Sequence, residues 1–257
     1  MRRRRCSMPE RPAPNKFAVH TTGRLASRLG VAEQAALAAR LVAQTPDVSR
    51  PPENLELELG MGNGLALLAR AQANPAWQFW GVEVFLNGLG QALRQLERQP
   101  VPNAHLLNRD AREVLAQLPP GSVRRVLIPF PDPWPKVRHH KRRLVQPEVL
   151  DAVARVLAPG GELWVVTDWP DYAFHTLALL HAHPQLQLAQ TLGSGQGLAA
   201  ADCKPSARLG DEGGAALGPH RLAQAPNWWV GTKYQQKAEK AGRAAWFIDA
   251  VKQGGIK

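Results

Sequence analysis

The segment Glu58-Leu59-Gly60-Met61-Gly62-Asn63-Gly64 limits the possible folds more than any other part of this chain. A strand pattern over residues 55–59 leads into it, and a Leu/Ala-rich run over 65–73 follows. The pattern is a strand that turns sharply into a helix. Glycines permit the tight turn and leave the backbone bare where a ligand presses against it. The helix start beyond offers unpaired N–H groups. Strand and helix patterns then alternate, with strands over 79–84, 105–107, 123–128 and 162–167 and helices over 89–98, 111–118 and 146–157. Such alternation predicts an α/β fold: a doubly wound, parallel sheet with helices on both faces. Near the end, residues 227–234 read as a late edge strand and 244–251 as the helical core of the tail. Residues 25–43 read as a helix that stops before Pro46, and 49–54, with Pro51 and Pro52, as a linker. The chain therefore divides into a basic N-terminal arm with a helical extension, 1–50, and a main domain, 51–257. That domain carries a loose Gly/Ala-rich insertion over about 193–226.

Glu83 ends the second strand, nineteen residues after Gly64. That is the spacing of a carboxylate that accepts ribose hydroxyls. G-x-G-x-G with such an acid suits a dinucleotide and S-adenosylmethionine alike. Asp110 follows the third strand in Asn108-Arg109-Asp110-Ala111. It can meet an adenine amino group, cap the next helix, or do both. Glu58 and Asp110 together make the pocket acidic, which favours a sulfonium cation over a pyrophosphate.

The fourth strand runs into Phe130-Pro131-Asp132-Pro133-Trp134-Pro135-Lys136-Val137-Arg138-His139-His140-Lys141-Arg142-Arg143. Prolines stiffen this loop and hold Asp132 in place. Lys136, Arg138, Lys141, Arg142 and Arg143 put five positive charges within eight residues. A run like this is commonly a solvated face. Beside a ligand edge, in a chain with 32 Lys+Arg against 21 Asp+Glu and a net charge of +11, it points to phosphate. Two cysteines, Cys6 and Cys203, make neither a disulfide framework nor a Cys-rich zinc module. His139 and His140 lack partners at ligand spacing, so no metal is expected. No apolar stretch reaches membrane-span length, so no membrane partner is expected either. Arg2–Arg5 lead no apolar segment of secretory type, and the composition suits a reducing, cytoplasmic setting.

These residues resemble the bacterial tRNA (guanine-N7)-methyltransferase family. The resemblance rests on the Glu58–Gly64 loop, Gly81-Val82-Glu83, Asp110-Ala111, the 130–136 run with Arg138-His139 and Lys141-Arg142-Arg143, Thr167-Asp168, and Thr232-Lys233-Tyr234. It implies a class I methyltransferase fold, Rossmann-like, with a mostly parallel seven-stranded sheet. It implies that Glu58, Gly60, Gly62, Gly64, Glu83, Asp110 and Asp132 line an S-adenosylmethionine site. It implies that Lys136, Asp168, Thr232, Lys233, Tyr234 and Gln235 contact tRNA, beside the cations Arg138, Lys141, Arg142 and Arg143. Gly23-Arg24 matches a basic element ahead of the family domain. The chain departs from the family at Gln235, where the family carries Glu, in the longer 193–218 stretch, and in the Arg2–Arg5 arm.

The implied reaction moves a methyl group to guanine N7, in the variable loop of tRNA. N7 carries a lone pair and needs no general base, so alignment carries most of the catalysis. Asp132 and Asp168 are the candidate catalytic carboxylates, because the methylated ring gains positive charge. Asp168 has a competing role as cap of the helix that starts near Asp171. Other readings are a methyltransferase for another RNA or a small molecule, an NAD-dependent oxidoreductase, and an inactive tRNA-binding relative. A monomer and a homodimer fit equally.

Overall fold

A computed structural model describes residues 31–189 and 225–254. The Arg2–Arg5 arm, Gly23-Arg24 and most of the 193–226 stretch lie outside them. A helix, α1 (Val31–Gln44), precedes the sheet. Then follow β1 (Leu55–Leu59), α2 (Leu65–Ala73), β2 (Gln78–Val82), α3 (Leu86–Arg98), β3 (Ala104–Leu107) and α4 (Ala111–Gln117). The second half holds β4 (Val123–Pro129), a 3-10 segment (Val137–Arg142), α5 (Pro147–Val156), β5 (Leu157–Thr167) and α6 (Pro170–His181). It ends with β6 (Leu186–Leu188), a helix we label α7 (Lys233–Lys240) and β7 (Trp246–Lys252).

The seven strands form one sheet in the order β3-β2-β1-β4-β5-β7-β6. The first five are parallel, and β7 runs antiparallel to both β5 and β6. Side chains alternate across the strands, so β2 and β3 each feed two cores. Trp80 and Leu107 face Leu115, Leu150 and Tyr172 of α4, α5 and α6. Phe79 and Leu106 face Leu37, Leu67 and Leu93 of α1, α2 and α3. The sheet is therefore wound on both faces, as a class I methyltransferase sheet is. The chain first winds outward from β1 to β3, then returns to place β4 on the other side of β1. That reversal opens a crevice at the carboxyl ends of β1 and β4.

Two expectations from the sequence fail near the end of the chain. Residues 227–234 form no strand: the segment is a loop that enters α7. Residues 246–252 are strand, not helix. The local Ala-rich composition of 244–251 favours helix, but pairing decides. Six residues of β7 sit in register with β5, from Thr167↔Trp246 to Glu162↔Val251, and β6 closes the edge beyond. Helix propensity is a weak preference and yields readily to such tertiary contact.

Polar residues also enter the core. Glu56 and Glu58 lie buried on β1, where a parallel strand is normally apolar. Arg70 of α2, itself buried, pairs with both. Arg125 of β4 takes the other oxygen of Glu56 and reaches Glu162, each at 3.0 Å. Its guanidinium lies 4.0 Å from the ring of Trp228 and 4.9 Å from that of Trp77. Opposite charges therefore alternate across the sheet, which is how buried ions become tolerable.

Candidate active site

The carboxyl ends of five parallel strands bring the sequence motifs together. After β1, Gly60, Gly62 and Gly64 take φ of +80°, +60° and +68°. A side chain is strained at such angles. A fourth glycine lets α3 pack on the turn: a Cβ at Gly88 of α3 would lie 2.1 Å from the Gly62 carbonyl oxygen. The sequence reading passed over Gly88, because only the packing of α3 on the loop shows its use.

Glu83, at the end of β2, pins the loop. Its Oε2 accepts from the Gly62 N–H at 2.9 Å, and its Oε1 accepts from Val84 and Phe85 at 2.8 and 3.0 Å. Burial pushes its carboxyl upward against these bonds, and the Asp132 charge adds to the rise. Three of about four lone-pair sites are occupied, so one remains, on Oε2, for a ligand hydroxyl. Asn108 holds the same turn from β3, donating to the Glu83 and Val84 carbonyls. Asp110 caps α4 by accepting from the Arg112 N–H at 2.8 Å.

Glu58 lines the crevice, but its charge is not free. Burial raises its carboxyl while Arg70 pulls it down. Arg70, although burial opposes its charge, is pushed up by Glu58 and Glu56. The acidity expected of the pocket therefore rests less on Glu58 than the sequence suggested.

After β4 the loop runs through two residues of positive φ that are not glycine, Phe130 at 49° and Trp134 at 44°. Such strain is held only where the surroundings over-determine it. Asp132 lies between them, an exposed residue whose carboxyl is raised by partial desolvation. The loop is fastened from behind by Arg143. This residue differs from the expectation that it contacts phosphate. It is buried, donates to the Pro133 carbonyl at 3.0 Å, pairs with Asp171 of α6, and lies over the Tyr172 ring. Lys136, Arg138, Lys141 and Arg142 stay exposed. Trp134 is engaged within the loop, under Arg142 at 5.1 Å and edge-on to His139. Slight desolvation and then the surrounding cations, Arg142 first, lower the His139 imidazole.

The far wall comes from the segment before and within α7. Val230, Gly231, Thr232, Lys233 and Tyr234 join Glu58, Gly60, Met61 and Pro129 around a cleft of about 220 Å³. Thr232 caps α7 by accepting from the Gln235 N–H at 3.1 Å. Tyr234 leans on the glycine loop: a Cβ at Gly62 would come within 3.3 Å of its Cε2. Burial and the charges of Glu83 and Asp132 push its phenol up. Gln235 faces away from this wall, accepting from the Trp229 indole N–H at 2.8 Å and donating to Glu239 at 2.9 Å. Trp229 in turn meets Phe247 of β7 edge-on. Asp168 follows β5 and does not cap α6, whose N-cap is Trp169. Its Oδ2 accepts instead from Arg243 Nε at 2.8 Å. No motif marks Arg243 in the sequence, where it lies just ahead of the 244–251 stretch read as helix.

One crevice thus joins bare backbone and buried carboxylates to a rim of exposed cations, an arrangement suited to a nucleoside-bearing cofactor and a polyanion. Among the described residues no cluster of His, Cys, Asp and Glu could hold a metal ion, and no helix is long and apolar enough to cross a membrane.

Comparison with known proteins follows the same lines. A methyltransferase family model matches residues 52–197, more than half of the chain. The tRNA (guanine-N(7)-)-methyltransferase of Azorhizobium caulinodans is 38% identical over 198 residues, covering 77% of this chain and 75% of that protein. The protein of the same description from Rhodospirillum rubrum is 40% identical, covering 76% and 66%. That of Alkalilimnicola ehrlichii is 49% identical over 132 residues, covering 51% and 56%.

Proposed function

The chain belongs to the tRNA (guanine-N7)-methyltransferase family, and from that membership we propose how its crevice carries out the reaction. The activity is transfer of a methyl group from S-adenosylmethionine to guanine N7 in tRNA. We place the acceptor in the variable loop. The observation that carries this reading is the single cleft in which the glycine loop of β1 meets Thr232–Tyr234, with the cations of the 130–143 loop beside it.

The residues present fit the cofactor. The Gly60 backbone is bare, with nothing within 4 Å of where a Cβ would stand. Glu83 keeps one acceptor site, and Asp110 lies at the next strand end. When bound, S-adenosylmethionine supplies a methyl group on a sulfonium centre. Gly60, Gly62, Glu83 and Asp110 would bind and orient it, with Tyr234 closing the cleft against water. Lys136, Arg138, Lys141, Arg142 and Lys233 would hold the RNA by its phosphates. Recognition of an unstacked base then completes the fit.

N7 is unprotonated at neutral pH, so no side chain must remove a proton. What remains is alignment, worth several orders of magnitude when reacting atoms are held in line. Ring charge develops as the bond forms. A carboxylate nearby gains strength in the transition state over the ground state. Asp132 and Asp168 occupy the adjoining strand ends from which they can act this way.

Labelled S-adenosylmethionine and unmodified tRNA test the proposal, with borohydride–aniline cleavage to find N7-methylguanosine. Cleavage at one variable-loop guanosine is expected. Label without cleavage there would move the acceptor elsewhere, and absence of label would refute the reading.

A further inference from the structure

We propose that Arg243 and Asp168 together read the Watson–Crick edge of the target guanine, Arg243 being the specificity-determining partner. The inference rests on the methyl-transfer reading above. β7 runs antiparallel to β5 with Trp246 opposite Thr167, so the residues just before β7 are carried to the carboxyl edge beside Asp168. Arg243 is further fixed by its own N–H, which donates to the Ala238 carbonyl at 2.9 Å. Its side chain meets Asp168 through Nε alone. Among the described residues neither Nη group has a partner.

The pair is 41% and 21% exposed. Ion pairs this open add little to stability, so a ligand can engage both groups at small cost. Together they present carboxylate acceptors next to guanidinium donors. Guanine offers the complement along one edge, with N1–H and N2–H as donors and O6 as an acceptor. Adenine offers the reverse at positions 1 and 6. Arginine commonly grips guanine at both O6 and N7, which would block the methyl acceptor. Tethering through Nε to Asp168 holds the guanidinium on the Watson–Crick side. An Nη group then reaches O6, and N7 stays open.

The test is Arg243→Met, assayed in single turnover on three tRNAs that carry guanosine, inosine or 2-aminopurine at the target. Inosine keeps O6 and N1–H, whereas 2-aminopurine lacks both. The expected result is a loss of about 10–100-fold on guanosine and inosine, the range of a good base contact, with little further loss on 2-aminopurine. Arg243→Lys keeps the charge but not the planar fork. It should hold tRNA near the original affinity yet show the same dependence on the base. Equal loss on all three tRNAs would overturn the proposal in favour of phosphate binding or support of the fold. Full activity of Arg243→Met on guanosine would overturn it as well. Failure of the unsubstituted chain to methylate guanosine would instead refute the reaction, and this inference with it.

Discussion

Asp132 shows what a single residue owes to its setting. The prolines around it were visible in the sequence, but the positive φ of Phe130 and Trp134 was not. Asp132 stays exposed as a residue, and partial desolvation of its carboxyl raises its pKa. The sign follows directly. A raised pKa means Asp132 starts to lose its charge at higher pH than an ordinary aspartate, whose value is about 3.9. If its charge supports the transition state, kcat should fall with decreasing pH, with a midpoint above that value. Asp132→Asn should lower kcat and flatten that limb. A profile in the substituted enzyme that keeps the same acid limb would assign it to another group. Glu83 teaches a related lesson. Its spacing from Gly64 was readable as a ribose contact, whereas its hold on the Gly62 N–H is a tertiary fact.

At the level of elements, two fastenings shape the site. The first is Arg143, which ties the 130–143 loop to α6 through Asp171 and the Pro133 carbonyl. Arg143 is buried while Asp171 is 33% exposed and can turn to water, so Arg143→Ala should cost about 1–3 kcal/mol in urea unfolding, chiefly through the lost bond to the Pro133 carbonyl and lost packing. Arg142→Ala should leave the unfolding midpoint unchanged. The five cations look alike in sequence, and only packing separates the clamp from the four that stay exposed. The second fastening is α7. Gln235 bridges Trp229 and Glu239, next in the chain to Tyr234, which leans on the glycine loop. Glu at this position would keep the Trp229 bond, lose the donor to Glu239, and place two carboxylates one turn apart. Like charges at that spacing repel by a few tenths of a kcal/mol. Gln235→Glu is therefore expected to lower kcat/KM rather than improve it, and Gln235→Glu with Glu239→Gln to recover most of the loss. A gain in kcat/KM from the single substitution would show that the family acid acts directly on substrate.

Across the whole molecule, charge and topology meet at one edge. The exposed cations of the 130–143 loop and Lys233 lie around the crevice that the strand reversal opens. Affinity for tRNA should fall linearly on a logarithmic salt scale, and each neutralised cation among Lys136, Arg138, Lys141 and Arg142 should flatten the slope by about 0.7–0.9. Titrations at several salt concentrations measure this, and an unchanged slope would remove that residue from the interface. The sequence by itself determined the parallel half of the sheet, the glycine turn and the charge of the rim. Those features follow from local periodicity, glycine's freedom at positive φ and the count of ionised side chains, all of which are properties of neighbouring residues. Only the tertiary structure decided that 246–252 is a strand, that Arg143 is a clamp, that Arg70 neutralises Glu58, and that Arg243 stands against Asp168. Each of these depends on a partner at least a helical turn away in the chain and mostly far beyond it. Pairing registers, desolvation and ion contacts arise when distant segments pack together, and no local pattern encodes them.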